Sequence, residues 1–251
     1  QNATGIVRTQ GFERLNARLN IDAKLGDKFK TGISFNGFTS ERQIVGWDVR
    51  DLSRAYSVHP VYHTAASIAF VQDLDKKAQA LGLSGFDKGV NGGATEALGY
   101  NRSIYTLEPV DYVNDWHYGR SNNGIGGSGD QGPAAKLDNS ERTQKTFFAN
   151  INSYLSYNIM EGLDVKTVLG GDIRDTRDYY WRGLMSDAKG RGSATNLDQT
   201  DVKVSSILSE TTLNYTKEIG NHNISAVAGV EFQSTTFNGN SLDGTNVPNT
   251  A

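Results

Sequence analysis

The sequence predicts an all-β fold: a partial transmembrane antiparallel β-barrel, about six strands in three hairpins of a larger barrel, with long extracellular loops. Three observations carry that expectation. Apolar and polar residues alternate over segments well beyond the usual strand length of about 5–6 residues. The polar side of each segment is too charged for the wall of a small core. Very short connections also take turns with long ones, the rhythm of periplasmic turns and extracellular loops in outer-membrane barrels.

The first hairpin starts at Gly11. Leu15, Ala17, Leu19, Ile21, Ala23 and Leu25 share one face, while Arg14, Asn16, Arg18, Asn20, Asp22 and Lys24 share the other. Gly26-Asp27-Lys28 has turn chemistry, and Phe29, Thr31, Ile33, Phe35 and Gly37 then oppose Lys30, Ser34 and Asn36. The central hairpin is the clearest. Phe147, Ala149, Ile151, Leu155, Tyr157 and Ile159 alternate with Asn150, Asn152, Ser156 and Asn158, and after Met160-Glu161-Gly162 the residues Leu163, Val165, Thr167, Leu169 and Ile173 alternate with Asp164, Lys166, Asp172 and Arg174. In the third, Ile207, Thr211, Leu213, Tyr215 and Ile219 precede the turn Gly220-Asn221-His222, and Ile224, Ala226, Ala228, Val230 and Phe232 follow it. The expected strands are 11–25, 29–41, 142–159, 163–177, 203–219 and 222–236, and the expected extracellular loops 42–141, 178–202 and 237–251. Within the first loop, Phe70, Val71, Leu74, Ala78 and Leu81 recur at helical spacing before Gly82.

Composition fits this reading. Only 37% of residues are hydrophobic, with 28 glycines and 4 prolines, and no apolar run approaches the ~20 residues of a membrane helix, so a membrane span here must use strands. A net charge of −3 without a Lys/Arg cluster argues against a nucleic-acid partner. The lack of cysteine removes disulfides and thiolate chemistry. Aromatic residues near the short turns (Phe29, Tyr157, Tyr215) and about ten residues further up (Phe147, Phe232) are spaced for an apolar band about 25 Å tall. Long charged side chains on the polar face require a hydrated or plugged interior, as in barrels of roughly 16–22 strands. The polar ends at Gln1 and Ala251 are those expected of a piece of a longer protein.

Motifs that resemble catalytic or cofactor sites do not have the surroundings such sites need. Gly124-Ile125-Gly126-Gly127-Ser128-Gly129 matches a dinucleotide spacing, but Asp130-Gln131-Gly132-Pro133 follows it instead of a helix. His59 and His63 are four apart, yet Pro60 and the extended Val61-Tyr62 oppose a helix there and no nearby Glu completes a site, so no metal site is expected. Asp172, Arg174, Asp175, Arg177 and Asp178 are read as a salt-bridge network at the rim rather than an acid–base pair. Neither catalysis nor a cofactor is expected. The candidate substrate contacts are the loop aromatics Trp47, Tyr56, Trp116, Tyr118, Tyr179, Tyr180 and Trp181, whose flat rings suit sugar faces or peptide side chains.

The segments 11–25, 148–157 (Phe-Ala-Asn-Ile-Asn-Ser-Tyr-Leu-Ser-Tyr) and 223–233 (Asn-Ile-Ser-Ala-Val-Ala-Gly-Val-Glu-Phe-Gln), and more loosely 115–119, resemble barrel strands and loop of SusC/RagA-type TonB-linked outer-membrane proteins. The resemblance implies a 22-stranded barrel filled by an N-terminal plug. It further implies a SusD-like surface lipoprotein as lid, contact with the TonB complex through an N-terminal region not among these residues, and import of glycans or peptides across the outer membrane. The competing expectation is a secreted soluble β-sandwich for adhesion or carbohydrate binding, in which the same apolar faces would pack against a second sheet.

Overall fold

The computed structural model describes residues 2–46, 60–82, 104–113, 115–118, 133–183, 186 and 194–248. They form one antiparallel sheet in sequence order, β1 (Asn2–Thr4), β2 (Gly11–Leu25), β3 (Phe29–Gln43), β4 (Ser140–Met160), β5 (Leu163–Arg182), β6 (Asn196–Ile219) and β7 (His222–Thr245). The sheet does not close on itself. Among the described residues, the helices α1 (Ala65–Ala80) and α2 (Pro133–Asp138) and a 3-10 turn at Asp115–Tyr118 lie in the connection between β3 and β4.

The register keeps the two faces distinct across the sheet. Leu19, Phe35, Ile151, Gly171, Ile207 and Ser234 lie in one continuous cross-strand row, and Leu25, Phe29, Tyr157, Val165, Leu213 and Ala228 in another nearer the short turns. On this face Leu15, Leu19, Ile21, Leu25, Ile151, Leu155, Leu169, Ile207, Val230 and Phe232 are all exposed. A contiguous exposed apolar face of this kind is uncommon on soluble monomers and marks a surface that meets protein or lipid. Among the described residues no second sheet covers it, which removes the basis of the sandwich expectation. The Phe29 and Tyr157 rings meet at 4.6 Å at its lower edge.

The ends of the short turns are staggered. Leu163 at the foot of β5 pairs with Tyr215, while β6 continues down to Ile219. A register offset of this kind tilts the strands, as curvature into a barrel requires.

At the other end the strands outrun the alternation pattern. β6 and β7 each hold 24 residues, about 80 Å of extended chain, so with a tilt of about 40° they rise far beyond a 25 Å apolar band. The expected loops 178–202 and 237–251 are corrected accordingly. β5 runs to Arg182, β6 begins at Asn196 and β7 reaches Thr245. The physical reason is that pairing needs only a neighbouring strand, whereas apolar/polar alternation needs two faces in different surroundings, and that difference fades toward these ends. On the apolar side the change of environment is marked by ion pairs between neighbouring strands, Lys145 with Glu41 at 3.2 Å and Arg177 with Asp201 at 2.7 Å.

Candidate functional site

The polar face gathers the rings, guanidinium groups and amides that could meet a ligand. One of its rows joins Asn16, Phe38, Phe148, Arg174, Val204 and Phe237, and the row below joins Arg18, Asn36, Asn150, Asp172, Ser206 and Thr235. The Phe38 and Phe148 rings lie 5.3 Å apart. The Arg14 guanidinium sits 3.9 Å above the Phe38 ring, and that of Arg174 sits 5.4 Å from the Phe148 ring. Beneath them amides prevail, with Asn152 Nδ2 donating to Asn150 Oδ1 at 2.6 Å. Lower still, Tyr154 donates its hydroxyl proton to Asp22 Oδ1 at 2.8 Å. Gly32 permits this approach, since a Cβ there would stand 2.4 Å from Asp22 Oδ1 and 2.5 Å from the Tyr154 ring.

Strand alternation divides the two-sign cluster of β5 between the faces. Asp172, Arg174 and Asp178 line the polar wall, whereas Asp175 and Arg177 face outward. Asp178 is held bidentately by Arg142, at 3.1 and 3.2 Å, and Arg177 pairs outward with Asp201. These carboxylates are partners for arginines on two separate surfaces, so they do not assemble into one network or one acid–base site.

The same alternation sorts the candidate aromatics. Tyr180 is on the polar side at the mouth, its hydroxyl donating to the Gly46 carbonyl at 3.1 Å and its ring flanked by Arg142 and Arg182. Tyr179 and Trp181 belong to the opposite face. Trp181 is only 6% exposed and donates its indole N–H to the Pro248 carbonyl at 3.3 Å, so it packs the rim. Trp181→Ala is therefore expected to destabilise the protein by about 3 kcal/mol, read as a lower Tm in detergent, while cargo affinity stays unchanged. Trp47 and Tyr56 lie outside the described residues, and Trp116 falls in the 3-10 turn.

The β3–β4 connection has a small core of its own. Val71 and Ile104 are buried, with Leu74, Ala78, Leu107 and Tyr118 packed against them. Thr64 and Ser67 cap α1 reciprocally, Thr64 Oγ1 accepting from Ser67 N and Ser67 Oγ from Thr64 N. Gly82, at φ +72°, ends it. Phe70, 56% exposed, lies off this core although it shares the helical spacing. Tyr118 is half-buried, its ring 6.3 Å from His63, and burial raises its hydroxyl pKa. Tyr112 donates to Asp138 Oδ2 at 2.8 Å, Arg8 pairs with the other oxygen of Asp138, and burial and then Asp138 raise the Tyr112 pKa. That contact ties the segment to α2 and to the turn after β1.

Sequence spacing gave no hint that His63 and His117 are partners. Both are buried, with His63 Nε2 2.8 Å from His117 Nδ1 and His63 Nδ1 3.1 Å from Ser67 Oγ. Ser67 donates its own proton to the Thr64 carbonyl, so the assignment satisfying these contacts has His63 Nδ1–H donate to Ser67 and His117 Nδ1–H donate to His63. A Ser–His–His line looks like a nucleophile relay, but this hydroxyl is committed to the helix cap and His63 is 2% exposed. Among the described residues no group of three or more His, Cys, Asp or Glu is arranged to hold a metal ion.

Protonating His63 would set two donors face to face, and a proton on His117 would leave a charge on a buried ring beside it. Burial, and secondarily His63, lowers the His117 pKa to about 3, against about 6.5 in an unfolded chain. The neutral pair thus contributes its full stability above about pH 6.5, and that contribution is lost as the pH falls toward 3. Protease protection of residues 60–82 and 104–113 should decline over that window, and His117→Phe should flatten the decline; an unchanged profile in the variant would assign it to other groups.

No protein-family model matches the sequence, and no curated protein matches it. Among solved structures, the fold is similar to a chain of the RagAB peptide importer in the "closed-closed" state, with a TM-score of 0.55 and 15% identity over 94% of this chain and 22% of that one. A chain of the RagAB peptide transporter gives 0.55 and 16% over 98% and 23%, and the importer in the "open-open" state gives 0.52 and 16% over 94% and 21%. The chain spans between a fifth and a quarter of the length of these neighbours. At such identities the likeness is one of fold: an open section of barrel wall, whose neighbours are transporters rather than enzymes.

Proposed function

We propose that this chain forms part of the barrel of a SusC/RagA-type TonB-dependent importer in the outer membrane, a barrel of about 22 strands when whole. The observation that carries the reading is the division of one long-stranded sheet into a continuous exposed apolar face and a charged, amide-rich opposite face. The first surface suits acyl chains, and the second suits a hydrated bore. A plug and a TonB-contacting segment belong to other parts of such a protein, and a SusD-like lipoprotein covers the mouth. The cargo is an oligomeric nutrient, a glycan or a peptide, and the RagAB neighbours favour the peptide. Of the loop aromatics expected from the sequence, Tyr180, at the mouth on the bore side, is the described one placed to touch it.

The test uses the full-length protein in a Gram-negative host. Labelled oligopeptide should enter cells that carry it, and uptake should stop when the proton-motive force is collapsed. Recovery of the protein as a soluble monomer from a detergent-free lysate would overturn the reading.

A further inference from the structure

We propose that Arg174, Phe148, Phe38 and Arg14 form a subsite on the bore wall for an acidic peptide, Arg174 taking a carboxylate and the two rings packing an adjacent apolar side chain; this rests on the importer reading and deepens it. Three observations point there. First, the arginines of the upper bore differ in their partners. Arg142 is bound to Asp178 and Arg182 to Asp198, whereas among the described residues Arg174 has no carboxylate in ion-pair range and meets only the Phe148 ring. A guanidinium laid beside a ring keeps its N–H edge available, and that edge matches a carboxylate in two parallel hydrogen bonds.

Second, the surrounding charge is positive. Across the two neighbouring rows that hold Asn16 and Arg18, the charged side chains among the described residues are Arg18, Arg174 and the single carboxylate Asp172. An anionic group is therefore attracted before any contact forms. Third, the chemistry beside the guanidinium is that of a peptide. Phenyl rings in contact offer an apolar bed, and Asn36, Asn150 and Asn152 directly below offer donors and acceptors for an extended backbone. Arg14 is steadied by its Nε donating to Asn16 Oδ1 at 2.7 Å, so the bed is fixed before a ligand arrives.

The experiment measures binding of two synthetic octapeptides to the full-length protein in detergent, identical except that a Glu beside a Phe is Gln in the second. Wild type should prefer the Glu peptide on the order of tenfold. Arg174→Ala and Arg174→Gln should abolish the preference, the larger loss falling on the Glu peptide, and Arg174→Lys should restore part of it. The subsite is overturned if Arg174→Ala keeps the preference, or if it weakens both peptides equally. It is also overturned if the variant leaves binding alone but makes cells permeable to large antibiotics, since the wall would then be covered by another part of the protein. Wild type binding both peptides alike removes the subsite and leaves the importer reading standing. Wild type binding neither, or binding an oligouronate instead, removes the peptide cargo together with the subsite.

Discussion

Arginine at Ile151 should block assembly of the barrel, at a cost of about 2–4 kcal/mol for a cation at the membrane midplane. Ile151 lies between the row of Tyr157 near the turns and the row of Phe147 near the upper edge, and its side chain is 49% exposed. Its cross-strand neighbour on β5 is Gly171, which offers no side chain to shield a charge. The adjacent residue, Asn152, is the control. It points into the bore, where its amide donates to Asn150 Oδ1. Asn152→Arg removes that bond, worth about 1 kcal/mol, and places the new cation in water. The difference between the two variants is the measurement: folded yield and heat-resistant mobility of the full-length barrel in outer-membrane fractions. Equal damage would mean that the register is displaced by one residue or that Ile151 faces protein.

The same one-residue contrast explains which parts of the fold are legible in sequence. At the turn ends the strand limits Leu25, Phe29, Leu163, Ile219 and His222 follow from turn chemistry and alternation. At the loop ends they do not. The pattern expires near Arg177 and Thr236, yet pairing continues to Arg182 and Thr245. Alternation records a difference in surroundings between the faces, whereas hydrogen bonding needs only a neighbouring strand, so the first fades where that difference ends and the second persists. β1, with three residues, is too short to show a period at all. The helical spacing at Val71, Leu74 and Ala78 is visible because a small core lies against it, but the partner of His63 lies 54 residues away, and a lone histidine carries no address.

The candidate aromatics carry one and the same expectation in the sequence, and only the register separates them. Tyr179, Tyr180 and Trp181 read alike as loop aromatics. Once β5 includes them, alternation sends Tyr180 to the bore and the other two outward. The bore-side rings Phe38 and Phe148 carry no such signal: each follows an apolar-row position in a sequence where phenylalanine is expected on the oily face. Only the register, which sets Phe38 opposite Phe148 and Phe148 opposite Arg174, shows that they belong to the wall.

Replacing Gly162 with alanine should be far more damaging than the equivalent change at Gly26 or Gly220, although the three glycines look interchangeable in sequence. All have positive φ, +79°, +69° and +61° respectively, so each alanine incurs a left-handed backbone cost of about 1–2 kcal/mol. At Gly26 and Gly220 nothing lies within 4 Å of the added carbon, and the effect ends there. At Gly162 the carbon would stand 2.1 Å from the Thr216 carbonyl oxygen, which is backbone of β6 and cannot rotate aside. The turn must then withdraw from β6, and the bond from Thr216 N to the Gly162 carbonyl, 2.7 Å long, goes with it. Losing that bond adds about 1 kcal/mol before any distortion of the paired strands is counted. Urea unfolding of the three variants in detergent should therefore show Gly26→Ala and Gly220→Ala close together and Gly162→Ala displaced well below both. Three equal midpoints would show that the β4–β5 turn hangs free of β6, and the stagger that curves this part of the sheet would need another anchor.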